Sequence, residues 1–435
     1  MAKWHGLVFL ATMAMEVSSL AVAGDWPHWR GASRDDRTEE NSGWDAGAWP
    51  VRPAVWHANV GEGGSSPVVI GNRVYAMGWK DGTDNIHCLD ATTGTDLWTV
   101  AYKCPQYGRR ATGDEGLYSG PTSTPEYDVE TGSLYTLGCD GDLHCWNTRE
   151  NGRKIWGFNL YARYNMPRRP KFGRQGLRDY GFTTAPLISG DWIIVEVGDD
   201  EGNLMAFSKQ TGERVWASEY HGPAGHTGGI VPMNVDGVPC VAVLAFEGLH
   251  IARIDPAHAG KTVALYKWET DFANNIATPA VHGSDVLITS AYNHNAICKL
   301  HVTLNGATRV WEQSFASKVC TPIIHRGRVY WAWQRLHCLD FETGRPLWEG
   351  GEFGDAGSCI MTSDDRLIVW GNRGRLALVE SAHRSPDEYR ELARLDKVFS
   401  TEVWPHVALA DGRLFCKDRL GNLKCFVLRS SDLFD

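Results

Sequence analysis

The sequence predicts an all-β fold, an eight-bladed β-propeller, from two recurring patterns and one fact of composition. A hairpin pattern that opens on two small residues and a proline recurs along the chain. So does a tight turn on glycine that is followed within five residues by tryptophan. The 435 residues include 47 glycines and 19 tryptophans, and no long segment carries helical periodicity.

The first segment, 1–23, reads as a signal peptide. Lys3 and His5 precede an apolar stretch over 6–15, and Ala21-Val22-Ala23 forms a small-x-small cleavage pattern. The stretch is shorter than a bilayer span, and Glu16 follows it. The expectation is cleavage near Ala23 and an exported, soluble protein, periplasmic or extracellular, without a transmembrane anchor. No cysteine follows the cleavage pattern directly, so no lipid attachment is expected.

A leading segment over 24–52 comes next, then the repeats over 53–428 and a short tail over 429–435. Hairpin elements span 65–75, 123–135, 184–193, 277–287 and 320–330. Each has a short β run, a turn and a second β run. The closing element, glycine turn then tryptophan, ends at Trp98, Trp156, Trp216, Trp311 and Trp348, with a looser copy at Trp268. Intervals of 37–60 residues between these tryptophans suit four-stranded blades with variable loops. Two degenerate units follow, over 358–394 and 407–426, and the last lacks its tryptophan strand. Pro53-Ala54-Val55-Trp56 at the other end supplies one. Pairing of that strand with the one holding Cys425 would close the ring and remove an exposed edge. This gives eight blades, with seven as the alternative.

Eleven cysteines in an exported chain would ordinarily suggest disulfides. Cys88, Cys145, Cys338 and Cys425 instead recur at one repeat position, which Ala206 takes elsewhere. Equivalent positions in separate blades lie too far apart to bridge. Most of the cysteines therefore read as buried free thiols, and a structural metal site is not expected.

Cys-Leu-Asp-x-x-Thr-Gly-x-x-Leu-Trp stands at 88–98 and again at 338–348. These residues resemble the repeat of the pyrroloquinoline-quinone (PQQ)-like propeller family, and the resemblance covers about 53–428. Asp25-Trp26-Pro27-x-Trp29-Arg30-Gly31 also resembles the opening of many exported PQQ-like propellers. The architecture is similar to the propeller subunit of the outer-membrane barrel-assembly machinery. It is also similar to that of quinoprotein dehydrogenases, which implies PQQ and calcium as an alternative cofactor pair. The adjacent cysteine pair that alcohol-oxidising members place on the quinone is missing here.

In a propeller, the segments entering the inner strands share one face with the loops joining second and third strands. That geometry assigns Tyr180, His226, Asn275, His294, Trp333, Arg373, Trp404, His406 and Arg419 to the channel mouth as candidate ligand-binding residues. Trp333 and Trp404 stand in loops, away from the repeated anchor, where they can stack on a ring. His226 lies within Gly225-His226-Thr227-Gly228-Gly229, whose glycines would let a ligand reach the backbone. The insertion over 157–181 carries Arg168, Arg169, Arg174 and Arg178, a candidate clamp for an anion. Neither a catalytic residue nor a metal ligand is assigned.

The net charge of -9, with both signs interspersed, excludes a nucleic-acid partner. The reading is an exported, non-enzymatic scaffold that binds a ligand or a protein, monomeric, with a protein or glycan partner. A PQQ-dependent dehydrogenase is one alternative. A propeller that binds or cleaves polysaccharide is another; cleavage would need two facing carboxylates, for which Asp81, Asp140 and Asp199 are available.

Overall fold

The computed structural model describes residues 24–105, 120–168, 171–172, 175–176, 178, 180–271, 274–355 and 357–429. The signal peptide, Arg169, Arg174 and nearly all of the tail lie outside the described residues. Eight antiparallel sheets form the blades, numbered here in chain order: 68–103, 126–159, 187–217, 231–267, 280–313, 323–354, 357–395 and 408–427. The eighth takes its outer strand, Val51–Asn59, from the start of the propeller. Trp56 faces Cys425 in that pairing, so eight blades and the expected closure both stand.

Blade 6 departs from four separate strands. Its middle strand, Arg328–Asp340, runs thirteen residues and doubles back at Gln334, where φ is +58°. Arg328 Nη1 meets the Asp340 carboxylate at 2.7 Å, so the two ends lie side by side.

The structure explains both recurring patterns. The glycine turn of one blade is the seat for the tryptophan of the blade before it. A Cβ at Gly94 would meet the Trp56 ring at 2.6 Å, one at Gly152 the Trp98 ring at 2.7 Å, and one at Gly344 the Trp311 ring at 2.7 Å. Trp56 Nε1 also donates to Ala91 O at 2.8 Å, and Trp311 Nε1 to Phe341 O at 3.0 Å. Glycine is needed there for the seat and, at Gly94, for a φ of +72°.

The small residues before each proline form a second belt nearer the axis. Ser66 N donates to Thr124 Oγ1 at 3.1 Å, Thr278 N to Thr321 Oγ1 at 3.0 Å, and His406 N to Ser66 Oγ at 2.8 Å. Each bond joins neighbouring blades, and the last crosses the seam between blades 8 and 1. A hydroxyl satisfies a backbone donor that no sheet reaches.

All eleven cysteines are free and buried. Cys320 and Cys359, at non-equivalent positions of blades 6 and 7, do meet, with Sγ atoms 3.9 Å apart. Among the described residues no helix is long and apolar enough to cross a membrane.

The closure makes a stability prediction. Trp56→Ala removes a buried ring and its hydrogen bond, and should cost about 3–5 kcal/mol, read as a lowered midpoint in urea. Removing 24–58 should lower the melting temperature further, because it bares the edge of Asn422–Val427. A truncated chain that melts like the intact one would contradict the closure.

Candidate functional site

The leading segment decides what kind of site the ring can hold. Residues 24–42 cross the axial channel instead of lying outside it. Trp26 pairs with Val69 of blade 1 at 2.8 and 2.9 Å, and Pro27 O accepts from Tyr127 N of blade 2 at 3.1 Å. Arg30 Nη2 donates to Pro322 O at 3.0 Å, just before blade 6. Thr38 N donates to Met361 O of blade 7 at 3.0 Å. The Glu40 carboxylate accepts from Asp411 N and Gly412 N of blade 8, each at 2.7 Å.

Buried charges fix this segment. Glu126 of blade 2 accepts from Arg34 and lies 3.3 Å from His28 Nδ1. Burial would raise its carboxyl, but Arg34 and then His28 more than reverse this and hold it at about 2. Arg30 Nε donates to Asp36 at 2.5 Å, and both side chains are buried.

Trp29 is therefore the floor of a blind cup. Its Nε1 donates to Thr278 Oγ1 at 3.0 Å, and its ring lies 4.2 Å from that of His406. A Cβ at Gly229 would meet the ring at 2.6 Å. The Gly228-Gly229 pair thus accommodates the chain's own tryptophan at its second member, where ligand access was the sequence-based expectation. The cup above the floor has a volume of about 470 Å³, and Trp29, Tyr180, Tyr292 and Trp404 are half-buried in its lining.

Two ion pairs also stand in the lining. Lys318 Nζ lies 3.0 Å from Asp355, which also accepts from Gln334 Nε2 at 2.5 Å. Arg419 Nε lies 2.7 Å from Glu402 and holds that carboxyl below its ordinary range. His226 is buried in the wall, with Nδ1 2.9 Å from Asn274 Oδ1 and Nε2 3.4 Å from Tyr180 N. The Tyr180 ring packs edge-on against it at 4.6 Å. Behind it, Glu196 accepts from Thr184 Oγ1 at 2.5 Å and Thr227 Oγ1 at 2.6 Å; burial raises its carboxyl.

Of the nine mouth residues read from the sequence, Tyr180, His226, Trp404 and Arg419 line the cup. The other five sit elsewhere. Asn275 is fully buried, with its amide donating to Ala245 O at 2.8 Å. His294 stacks on Trp268 at 3.8 Å, and Trp333 packs against the core of blades 6 and 7. His406 supports Trp29 from below. Arg373 lines a separate groove with His57, Lys397 and Lys424.

In the basic insertion, Arg178 is buried, 2.7 Å from Asp199 and donating to Pro167 O at 2.7 Å. Arg168 stays exposed over the Tyr161 ring at 4.9 Å, 3.8 Å from Asp140. Among the described residues, the carboxylates that reach the cup are Asp355 and Glu402; Asp81, Asp140 and Asp199 are not in its lining. Sequence reasoning missed Trp29, Lys318, Asp355 and Glu402, and it placed Tyr292 in a mouth loop while singling out His294 beside it. The paired tryptophans of Asp25-Trp26-Pro27-x-Trp29 were the one available signal.

A tricarboxylate quinone with calcium does not fit this lining. Among the described residues its two side-chain cations, Lys318 and Arg419, are each paired with an acid and so offer no surplus positive charge, and the same pairing occupies the acids that would ligate a metal. Among the described residues, no three His, Cys, Asp or Glu side chains converge as metal ligands would.

A closed ring of eight blades around a blind axial cup is the architecture of PQQ-like repeat propellers. Residues 82–350 match the PQQ_2 family, described as outer membrane protein assembly factor BamB, and the chain belongs to that family. It is 26% identical over 329 residues to the outer membrane protein assembly factor BamB of Burkholderia pseudomallei (strain K96243), covering 73% of this chain. It spans 63% of the length of that relative. The solved BamB of Moraxella catarrhalis superposes with a TM-score of 0.58 at 13% identity, covering 86% of this chain and 99% of that one. A europium-containing methanol dehydrogenase gives 0.64 at 12% identity, covering 93% and 98%. The quinohemoprotein alcohol dehydrogenase of Comamonas testosteroni gives 0.62 at 14%, covering 94% and 81%. At these identities the structural matches speak for the fold alone.

The charge holding the crossing segment gives a pH prediction. Glu126 has its carboxyl lowered from 4.5 to about 2, so its contribution is complete above about pH 4.5 and is lost as pH falls through 2. It amounts to about 3 kcal/mol. Glu126→Gln should lower stability at neutral pH, and the gap from wild type should narrow between pH 4.5 and 2. Denaturant titrations across that range check this; a gap that does not change with pH would contradict it.

Proposed function

We propose that this protein is an exported, non-enzymatic binding scaffold of the cell envelope, which engages a protein partner through the mouth face of the ring. The observation that carries this reading is the blind cup. Its wall comes from segments entering several blades, its floor from the chain's own Trp29, and its described charged groups are paired with each other. Such a lining is preorganised for recognition.

Family membership supports a protein partner, since the family and its relatives carry the name of an outer membrane assembly factor. The partner is proposed by class, as a component of outer-membrane protein assembly. The leader over 1–23 supports export. A dehydrogenase reading has structural neighbours in its favour, but the charge balance of the cup weighs against it.

Photo-crosslinking tests the proposal. A photoreactive residue at Asn372, on the cup's rim, should give one discrete adduct with an assembly component in living cells. The same residue at Val310, half-exposed on an outer strand, should not. Equal adducts from both positions, or none from either, would refute the mouth as the binding face. Dye-linked alcohol oxidation after reconstitution with PQQ and calcium would replace the scaffold with an enzyme.

A further inference from the structure

The cup's lining also specifies a class of small ligand. We propose that the axial cup binds a neutral saccharide, with Trp29 and Trp404 as stacking faces and the Lys318–Asp355 and Arg419–Glu402 pairs as hydroxyl-binding groups. This rests on the reading of the mouth as the binding face and names what enters it.

Three features of the lining lead there. The first is the aromatic surface: four half-buried rings, Trp29, Tyr180, Tyr292 and Trp404, come from the floor and three separate parts of the ring. Trp29 cannot swing away, because Thr278 holds its indole nitrogen, His406 packs on the ring, and Gly229 leaves no room for a side chain. A fixed indole face suits the apolar C–H face of a pyranose.

The second is charge. Among the described residues, two cations and two carboxylates line the cup as two pairs. An anionic guest would meet two carboxylates, and a cationic guest would meet Lys318 and Arg419. Lys318 Nζ lies 5.7 Å above the Tyr292 ring, where an ammonium guest would otherwise sit. A neutral guest escapes both penalties.

The third is the mixture of donors and acceptors. Sugar hydroxyls both donate and accept, and vicinal pairs bind bidentate groups well. A carboxylate beside a guanidinium, a carboxylate beside an ammonium, and the amides of Asn274 and Asn372 provide both roles around one cup. The volume, about 470 Å³, falls within the range of small-ligand sites.

The test uses the full mature chain and saturation-transfer NMR with calorimetry. The probes are maltose, cellobiose, mannobiose and N,N′-diacetylchitobiose, with digalacturonate and a neutral tetrapeptide for comparison. At least one neutral disaccharide should bind at about millimolar affinity or better, with transfer strongest to its ring C–H protons. Trp404→Ala and Glu402→Gln should each weaken it about tenfold or more with the melting temperature unchanged. Trp29→Ala is not the primary variant, because it can loosen the crossing segment.

Failure of every neutral disaccharide would overturn the inference. So would preference for digalacturonate or the peptide, or binding that Trp404→Ala leaves intact. Loss of sugar binding with the Asn372 adduct retained would remove this inference alone. Loss of the adduct with sugar binding retained would remove the protein-partner reading instead.

Discussion

The docking of one blade's tryptophan on the next blade's glycine turn is the contact on which the rest of the molecule depends. A propeller blade is a small twisted sheet that cannot bury both of its faces alone. The indole provides a large flat area, with a hydrogen bond to a neighbouring carbonyl at Trp56, Trp156 and Trp311, and the glycine lets it come against backbone. Because the tryptophan of one blade seats on the glycine turn of the next, at Gly94, Gly152, Gly212 and Gly344, the pattern is directional. At the seam Trp56 is the giver, against Gly94. The chain's first strand therefore has to belong to its last blade.

That requirement also explains the cup. Residues 24–50 must reach the seam from wherever the chain begins, and the route they take crosses the axis. Hydrogen bonds tie the segment to blades 1 and 2, then to 6, 7 and 8, while Trp29 is held before blade 5. A through-channel becomes a cup with a fixed bottom. The segment that closes the ring and the segment that floors the site are contiguous, so closure and site formation are coupled by connectivity.

The repeats were legible in the sequence because their determinants are local. Glycine turn, tryptophan and small-small-Pro each sit within a few residues, and even the Trp56–Cys425 pairing followed from a missing strand. The cup was only partly legible. Tyr180, His226, Trp404 and Arg419 were found because loop positions can be assigned to a face by counting strands. Counting does not say how far a side chain reaches. Asn275 turned into the wall to bond Ala245 O, and His294 turned outward onto Trp268. Trp29 was hidden for another reason: its partner Thr278 is 249 residues away, and nothing local reports such a contact. The acids of the cup were hidden by their pairing, since Asp355 and Glu402 look like ordinary loop charges until Lys318 and Arg419 are seen beside them.

Rigidity sets what such a site does well. The hydroxyl belt ties together the strand entries on which the wall is built, so this part of the cup is preformed. A preformed site loses little conformational freedom on binding, which favours recognition of a ligand by shape. Chemistry places a different demand on a site, because a reacting group needs a poised acid, base or metal whose charge changes during the step. Here the charged pairs neutralise one another, and His226 has both ring nitrogens within hydrogen-bonding distance of the wall's own groups. The same contacts that fix the cup's shape engage the described groups that a reaction would have to move, which is the physical case for the scaffold we propose.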